Sequence, residues 1–231
     1  MVFDIRRAII QDVEALLAIK QAVWPDEAAN LDHIRAALGD AAHVTLVAEV
    51  NGRIIGFVDS FITTAYGGAR RWEVDLLAVQ SDYRGQGAAR QLVMAATRAG
   101  CERGAELARA LVAADNQASR RVFAGCGYTC ENRARSLYLS SGGAAGSPHP
   151  SDDACLIPVR TLNYNGVWLE EVYTTAAFRR AQSVCAEQKL DLAGAVVPDE
   201  WAAENARKAG FVPVGDYHWW CVSLGAAPAP C

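Results

Sequence analysis

Two carboxylates lie two residues apart, Glu73 and Asp75, in the apolar run Trp72–Val79. Alternation along a strand sends both to one face, and two carboxylates at close quarters push the pKa of one toward the range of a working general base. Solvent-facing strand residues are the plainer use of such a pair, and the residues alone leave both uses open. A second chemical signal follows at once, in Gln80-Ser81-Asp82-Tyr83-Arg84-Gly85-Gln86-Gly87-Ala88-Ala89, which joins that strand to a helix start. Free N–H groups and the dipole at a helix start favour an anion. Gly85 and Gly87 allow backbone close to a ligand, and Arg84 adds positive charge. A phosphate suits this turn; an ordinary helix N-terminal turn is the alternative.

These residues need elements to hold them. Residues 2–7 read as a strand. Asp12 reads as the N-cap of a helix carrying Val13, Leu16, Leu17 and Trp24, stopped by Pro25, and a second helix runs through Leu31, Ile34 and Leu38 to Gly39. Residues 43–50 and 53–62 form a hairpin about Asn51-Gly52. After strand 72–79 come a helix over 87–103, with Leu92, Ala95, Ala96 and Ala99 on one face, a strand over 106–113, a helix over 116–126 and strand material to 139. The strand–helix–strand unit needs a crossover between parallel strands, so the fold class is α/β, mixed α+β.

Arg84-x-x-Gly87-x-Ala89 after a strand ending in Leu77-Ala78-Val79, then Asn116 and Phe123 ahead of Gly127-Tyr128, resembles the GCN5-related N-acetyltransferase (GNAT) superfamily over residues 2–140. The resemblance implies a central mixed sheet flanked by helices. It also implies transfer of an acetyl group from acetyl-CoA to the primary amine of a small molecule or peptide, by direct attack in a ternary complex. On this reading Arg84, Gly85, Gln86, Gly87, Ala88 and Ala89 cradle the pyrophosphate, and backbone at Leu77, Ala78 and Val79 pairs with the pantetheine arm. Asn116 beside that arm and Phe123 complete the cofactor set. Glu73 takes the place of the base that several relatives carry, with Asp75 beside it, and backbone N–H of the Trp72 strand supports the oxyanion.

Phe123 departs from the family's pattern. Many relatives have there a tyrosine that protonates the departing thiolate, and phenylalanine has no proton to give. A thiol of pKa ~8.5 still leaves tolerably, so the loss costs ~10²-fold rather than all activity. Tyr83 and Tyr128 are not assigned as substitutes. The departure leaves a rival, a non-catalytic acyl-CoA-binding regulatory module; a further rival is an interaction protein in which the second segment of the chain mediates pairing.

With 22 basic and 26 acidic residues, a net charge of −4 and a pI near 5.6, the 231-residue chain carries no global field for nucleic acid or an anionic membrane. No apolar run approaches the ~18 residues of a membrane span. The N-terminus lacks a secretory pattern, and seven cysteines without a Cys-x-x-Cys read as reduced thiols in a cytoplasm. Cys126 and Cys130 have no further ligands at metal spacing, so no metal is assigned. Arg120-Arg121 reads as a solvated helix face rather than a phosphate contact.

Residues 141–153 have linker composition and divide a domain over 1–140 from a segment over 154–231. Asn116, Ser119, Phe123, Gly127 and Tyr128 recur 83 positions on as Asp199, Ala202, Ala206, Gly210 and Phe211, and Trp72 recurs 96 positions on as Trp168. The second segment therefore reads as a smaller β-α-β-α-β half-domain, a partial repeat missing 13 residues where the phosphate loop would be. Its apolar terminal strand, with Trp219, Trp220 and Val222, has to be covered by the first domain or by a partner chain, as in a homodimer.

Overall fold

A computed structural model describes residues 3–27, 30–141 and 154–225. The expected linker therefore lies outside the described residues, apart from Ser141, which closes a strand. The chain forms β1 (Asp4–Arg7), α1 (Val13–Val23), α2 (Leu31–Gly39), β2 (Leu46–Val50), β3 (Arg53–Thr64), β4 (Arg70–Val79), α3 (Ala88–Glu102), β5 (Leu107–Ala113), α4 (Gln117–Gly125), β6 (Thr129–Cys130) and β7 (Arg135–Ser141). After the undescribed stretch come β8 (Cys155–Arg160), β9 (Asn165–Glu170), α5 (Thr175–Glu187), β10 (Leu192–Val197), α6 (Glu200–Lys208) and β11 (Val212–Ser223). Among the described residues no helix is long and apolar enough to cross a membrane.

Local chemistry explains most boundaries. Asn51 and Gly52 both hold positive φ, 51° and 78°, and turn β2 into β3. Trp24 ends α1 because Pro25 disfavours helix in the residue before it. Asp12 does not cap α1 with its side chain. Its carboxylate instead accepts the Ile9 N–H at 2.8 Å and pairs with Arg6 at 2.7 Å, so the charge stabilises the short 3₁₀ turn ahead of the helix.

One mixed sheet carries the fold, in the order β1-β2-β3-β4-β5-β11-β7-β10-β9-β8, with β6 beside β11. In the first half, alternation along the strands builds two cores. Leu46, Ala48, Val58, Trp72 and Val74 pack toward α3, with Leu92, Val93 and Phe123, while Val47, Phe57 and Ala78 pack toward α1 and α2 on the other face. In the second half, α5 and α6 cover β7, β9 and β10, with Phe178 edge-on to Phe211.

Two features of this sheet create the site. β4 and β5 pair in parallel only from Arg71↔Leu107 to Glu73↔Arg109, although β4 runs on to Val79 and β5 to Ala113. Beyond Glu73 the two strands therefore part. In the same stretch β4 carries a bulge against β3, where the register steps from Val58↔Leu77 to Ser60↔Val74.

The terminal strands are exchanged between the halves. β11 lies antiparallel to β5, from Tyr217↔Ala113 to Ser223↔Leu107, while β7 lies antiparallel to β10. Trp219, Trp220 and Val222 are thus covered by the first half of the same chain. The β8–β9 hairpin also reaches across: Leu162 at its tip is buried in the α1–α2 core, the Asn163 Nδ2 donates to Glu27 at 2.9 Å, and Arg160 pairs with Asp40 at 3.0 Å. The sequence division at 141–153 is therefore not a division of the sheet. Strand register also separates the two tryptophans: the offsets 96 and 83 would set Val167 opposite Leu190, but Val167 pairs with Ala193, three residues on.

Candidate active site

The turn between β4 and α3 has the shape an anion requires. Gly85 and Gly87 hold φ of 74° and 91°, and nothing lies within 4 Å of where a Cβ would project from either. Gly87 is the N-cap of α3, and its carbonyl takes the first helical bond, from Gln91 N at 3.1 Å. The N–H groups of Ala88, Ala89 and Arg90 are left without helical acceptors. Arg84 is folded back, its Nε donating to the Val79 carbonyl at 3.0 Å, and Gln86 Nε2 donates to the Asp82 carbonyl at 3.0 Å, so both side chains brace the loop.

This turn opens into a cleft of about 420 Å³ at the parted strands. Leu77 and Val79 of β4, Tyr83 to Ala89 of the loop except Gln86, and Asn116, Ser119 and Val122 around the start of α4 line it, with Trp24 at the end of α1. Asn116 Oδ1 accepts the Ser119 N–H at 3.0 Å and so fixes the N-terminus of α4 at the cleft wall. Three members of the expected cofactor set do not line the cleft: Gln86, whose amide turns back to the Asp82 carbonyl, Ala78 and Phe123. Ala78 points its side chain into the α1–α2 core. Phe123 is buried edge-on to Tyr128, ring centroids 5.1 Å apart, and Tyr128 bonds Thr97 at 2.8 Å. Burial, partly offset by that bond, pushes the Tyr128 hydroxyl up to about 12.

A second, narrower slot of about 70 Å³ adjoins the same strand. Glu73, Asp75, Phe61, Arg109 and Leu111 line it from the first half; Ile157, Val159, Tyr164, Trp168 and Glu170 line it from the second, with Trp219 of β11. Its ionic residues form a compact network. Glu73 accepts from Thr63 Oγ1 at 2.5 Å and from Arg109 Nε at 2.8 Å, and Glu170 takes Arg71 at 2.7 Å and Arg109 Nη2 at 2.7 Å. The Arg109 guanidinium lies 4.0 Å over the Trp219 ring. Burial opposes charge on Glu170, but Arg109 and Arg71 outweigh it and hold the carboxyl below its usual range.

Asp75 differs from both glutamates. It is open to cleft water, yet protein surrounds it closely, and this low-dielectric setting, reinforced by Asp59 and Glu73, pushes its carboxyl up to about 8. The charges that bear on it are negative, whereas Glu73 has two arginines and a hydroxyl. Arg71, Arg109, Tyr164, Trp168, Glu170 and Trp219 were not singled out from sequence for this site. Charged residues inside otherwise apolar strands, such as Arg109 in Leu107-Ala-Arg-Ala-Leu-Val, were the available signal. Cys126 and Cys130 turn their thiols to the carbonyls of Arg90 and Glu131, and Arg120 and Arg121 to those of Ala114 and Gln117.

A mixed sheet parted at two parallel strands, with a glycine turn and a helix N-terminus at the mouth of the gap, defines the chain as an α/β protein with an open cleft beside the parted strands. The model of the acetyltransferase (GNAT) family matches residues 11–128, just over half of the chain, and the chain belongs to that family. Among solved structures it is similar to the GCN5-related glucosamine N-acetyltransferase region of a fungal multi-domain β-N-acetylglucosaminidase, at 12% identity and a TM-score of 0.64 over 96% of this chain. The chain spans 38% of that protein's length. It is similar also to an aminoglycoside N-acetyltransferase in complex with CoA (23% identity, TM-score 0.53, 57% of this chain and 91% of that one). A third is a ribosomal-protein-alanine N-acetyltransferase from Brucella melitensis (25% identity, TM-score 0.52, 58% and 88%). No curated protein matches.

Proposed function

We propose that the chain transfers an acetyl group from acetyl-CoA to a primary amine, with Asp75 as general base. The observation that carries this is the continuity of β4: Glu73 and Asp75 line the slot, and two residues beyond Asp75 the same strand lines the cofactor cleft with Leu77 and Val79. An amine in the slot and a thioester in the cleft therefore meet at the bulge. Bound acetyl-CoA supplies an activated acyl carbon. The N–H groups over Ala88–Arg90 hold its pyrophosphate, and the unpaired edge of β4 takes its pantetheine arm.

Asp75 accepts the ammonium proton, which frees the amine lone pair. Nitrogen then bonds the thioester carbon, the C–S bond breaks and CoA leaves as thiolate, and the second proton lost by the nitrogen passes through water to that thiolate, giving the amide and CoA thiol. A β4 N–H in the gap steadies the carbonyl oxygen. Glu73, engaged by Arg71, Arg109 and Thr63, serves to raise the Asp75 pKa and fix β4 beside β5. Phe123, buried away from the cleft, favours a second reading in which acetyl-CoA binds without transfer. CoA release from acetyl-CoA in the presence of an amine tests the two. Amine-dependent release that falls on Asp75→Asn supports transfer, and acetyl-CoA binding without release to any amine supports the second reading.

A further inference from the structure

We infer that the acceptor is a primary monoamine carried on a flat apolar group, an arylalkylamine by chemical class, and that the second half of the chain selects it. The inference rests on the transfer reading above. Charge in the slot comes first. Glu73 and Glu170 are matched by Arg71 and Arg109, so the quartet has no net charge to offer a ligand. Asp75 is left as the carboxylate for one ammonium. A polyamine or an aminoglycoside would bring further ammonium and hydroxyl groups against Phe61, Ile157 and Val159, where nothing pairs with them, and each such group is costly to bury.

Shape comes second. The Trp168 Nε1 donates to the Tyr164 hydroxyl at 3.0 Å, and Trp219 is held flat beneath the Arg109 guanidinium, so both indole rings are fixed before any ligand arrives. Tyr164 is itself fixed: the Thr161 Oγ1 accepts its N–H at 3.1 Å, and the adjacent Leu162 is buried in the first half's core. Preset aromatic walls around one titrating carboxylate suit an amine with an aromatic body.

The test uses the full chain with acetyl-CoA and three amines, phenethylamine, spermidine and kanamycin, read by CoA release. Phenethylamine is expected to lead in kcat/KM by ~10-fold or more, and Trp168→Ala to remove ~10-fold of it through KM, with calorimetric affinity for acetyl-CoA unchanged. Val159→Glu, at a half-buried wall position, is the second variant; the added carboxylate is expected to move preference toward spermidine. Equal or better use of spermidine or kanamycin by the unmodified chain overturns the acceptor class alone, as does an unchanged phenethylamine KM in both variants. Acetyl-CoA binding without turnover of any of the three overturns it while leaving the cofactor site, and absence of acetyl-CoA binding overturns the transfer reading as well.

Discussion

Among the described residues the sheet contains two parallel strand pairs, each joined by a crossover helix, and one of them is open. β4 and β5 pair over three positions and then part, whereas β9 and β10 pair over four, from Gly166↔Leu192 to Leu169↔Ala195. The first pair is followed by a loop with two left-handed glycines. The second passes through Glu171-Val172-Tyr173-Thr174 straight into α5, and Thr174 caps that helix by accepting the Ala177 N–H at 3.2 Å. Where the second pair ends, the Tyr173 hydroxyl donates to the Val196 carbonyl at 3.3 Å and ties its loop to β10. A ligand cleft in this architecture is thus made by leaving strand edges unpaired and a helix start uncapped. The second half has spent both groups on itself, and what it contributes is a wall.

That wall has to be anchored, and removing the anchor is the largest effect expected. Glu170→Ala leaves Arg71 and Arg109 facing a single carboxylate in a nearly closed environment, and should destabilise the protein by about 3 kcal/mol, read by urea denaturation. A loss below ~1 kcal/mol would place the network in the screened, surface regime and weaken the case that it joins the halves.

Next in size is Asp75→Asn, expected to lower kcat by ~10²-fold with acetyl-CoA affinity preserved. With its carboxyl near 8, Asp75 is protonated below that pH and a base above it, so kcat/KM should climb roughly tenfold per pH unit toward 8 and then level. Stability runs the other way. The unfolded carboxyl ionises near ~4, so between ~4 and 8 the folded state binds the extra proton and stability falls as pH rises. Asp75→Asn should therefore raise Tm at pH 8 and leave it nearly unchanged at pH 4. Glu73→Gln, which removes the charge that Arg109 pairs with, should instead lower Tm at pH 8.

The cleft and its glycine turn were legible because they are local. The order from strand to glycine turn to helix fixes the positions of Arg84 to Ala89 relative to Leu77 and Val79, and Asn116 announces a helix start by its own capping chemistry. The slot is assembled by contacts across long stretches of sequence. Arg71 meets Glu170 through a hairpin, and Trp219 reaches Arg109 only because β11 crosses to β5, a pairing to which no periodicity points. The different surroundings of Glu73 and Asp75 were hidden for a similar reason, since Arg109, which pairs with Glu73, comes from β5. Asp12 shows the smaller failure: its residue type suits a cap, but Arg6 and Ile9 claim the carboxylate first.

Gly87→Val sharpens the comparison at the open pair. A β-branched residue at φ 91° is strained, and its side chain would project into the space from which phosphate oxygens approach. Acetyl-CoA affinity should fall ~10-fold or more by calorimetry, with the slot untouched. Equal affinity in a folded variant would remove the turn from the cofactor site.

The smallest effect belongs to the closed pair. Tyr173→Phe deletes one hydrogen bond, from a mostly buried hydroxyl to Val196, and should cost ~0.5–1.5 kcal/mol in denaturation. Loss of that tie loosens the loop after β9 without creating a cradle, because Thr174 still caps α5 and no glycine lies between Glu170 and Phe178 to let backbone turn toward an anion. Native mass spectrometry with excess acetyl-CoA should accordingly show one ligand per chain both before and after the substitution. A second specific ligand in the Tyr173→Phe variant would mean that the tyrosine alone keeps the second pair shut. A second ligand in the unmodified chain would mean that strand parting is not what a cofactor needs here.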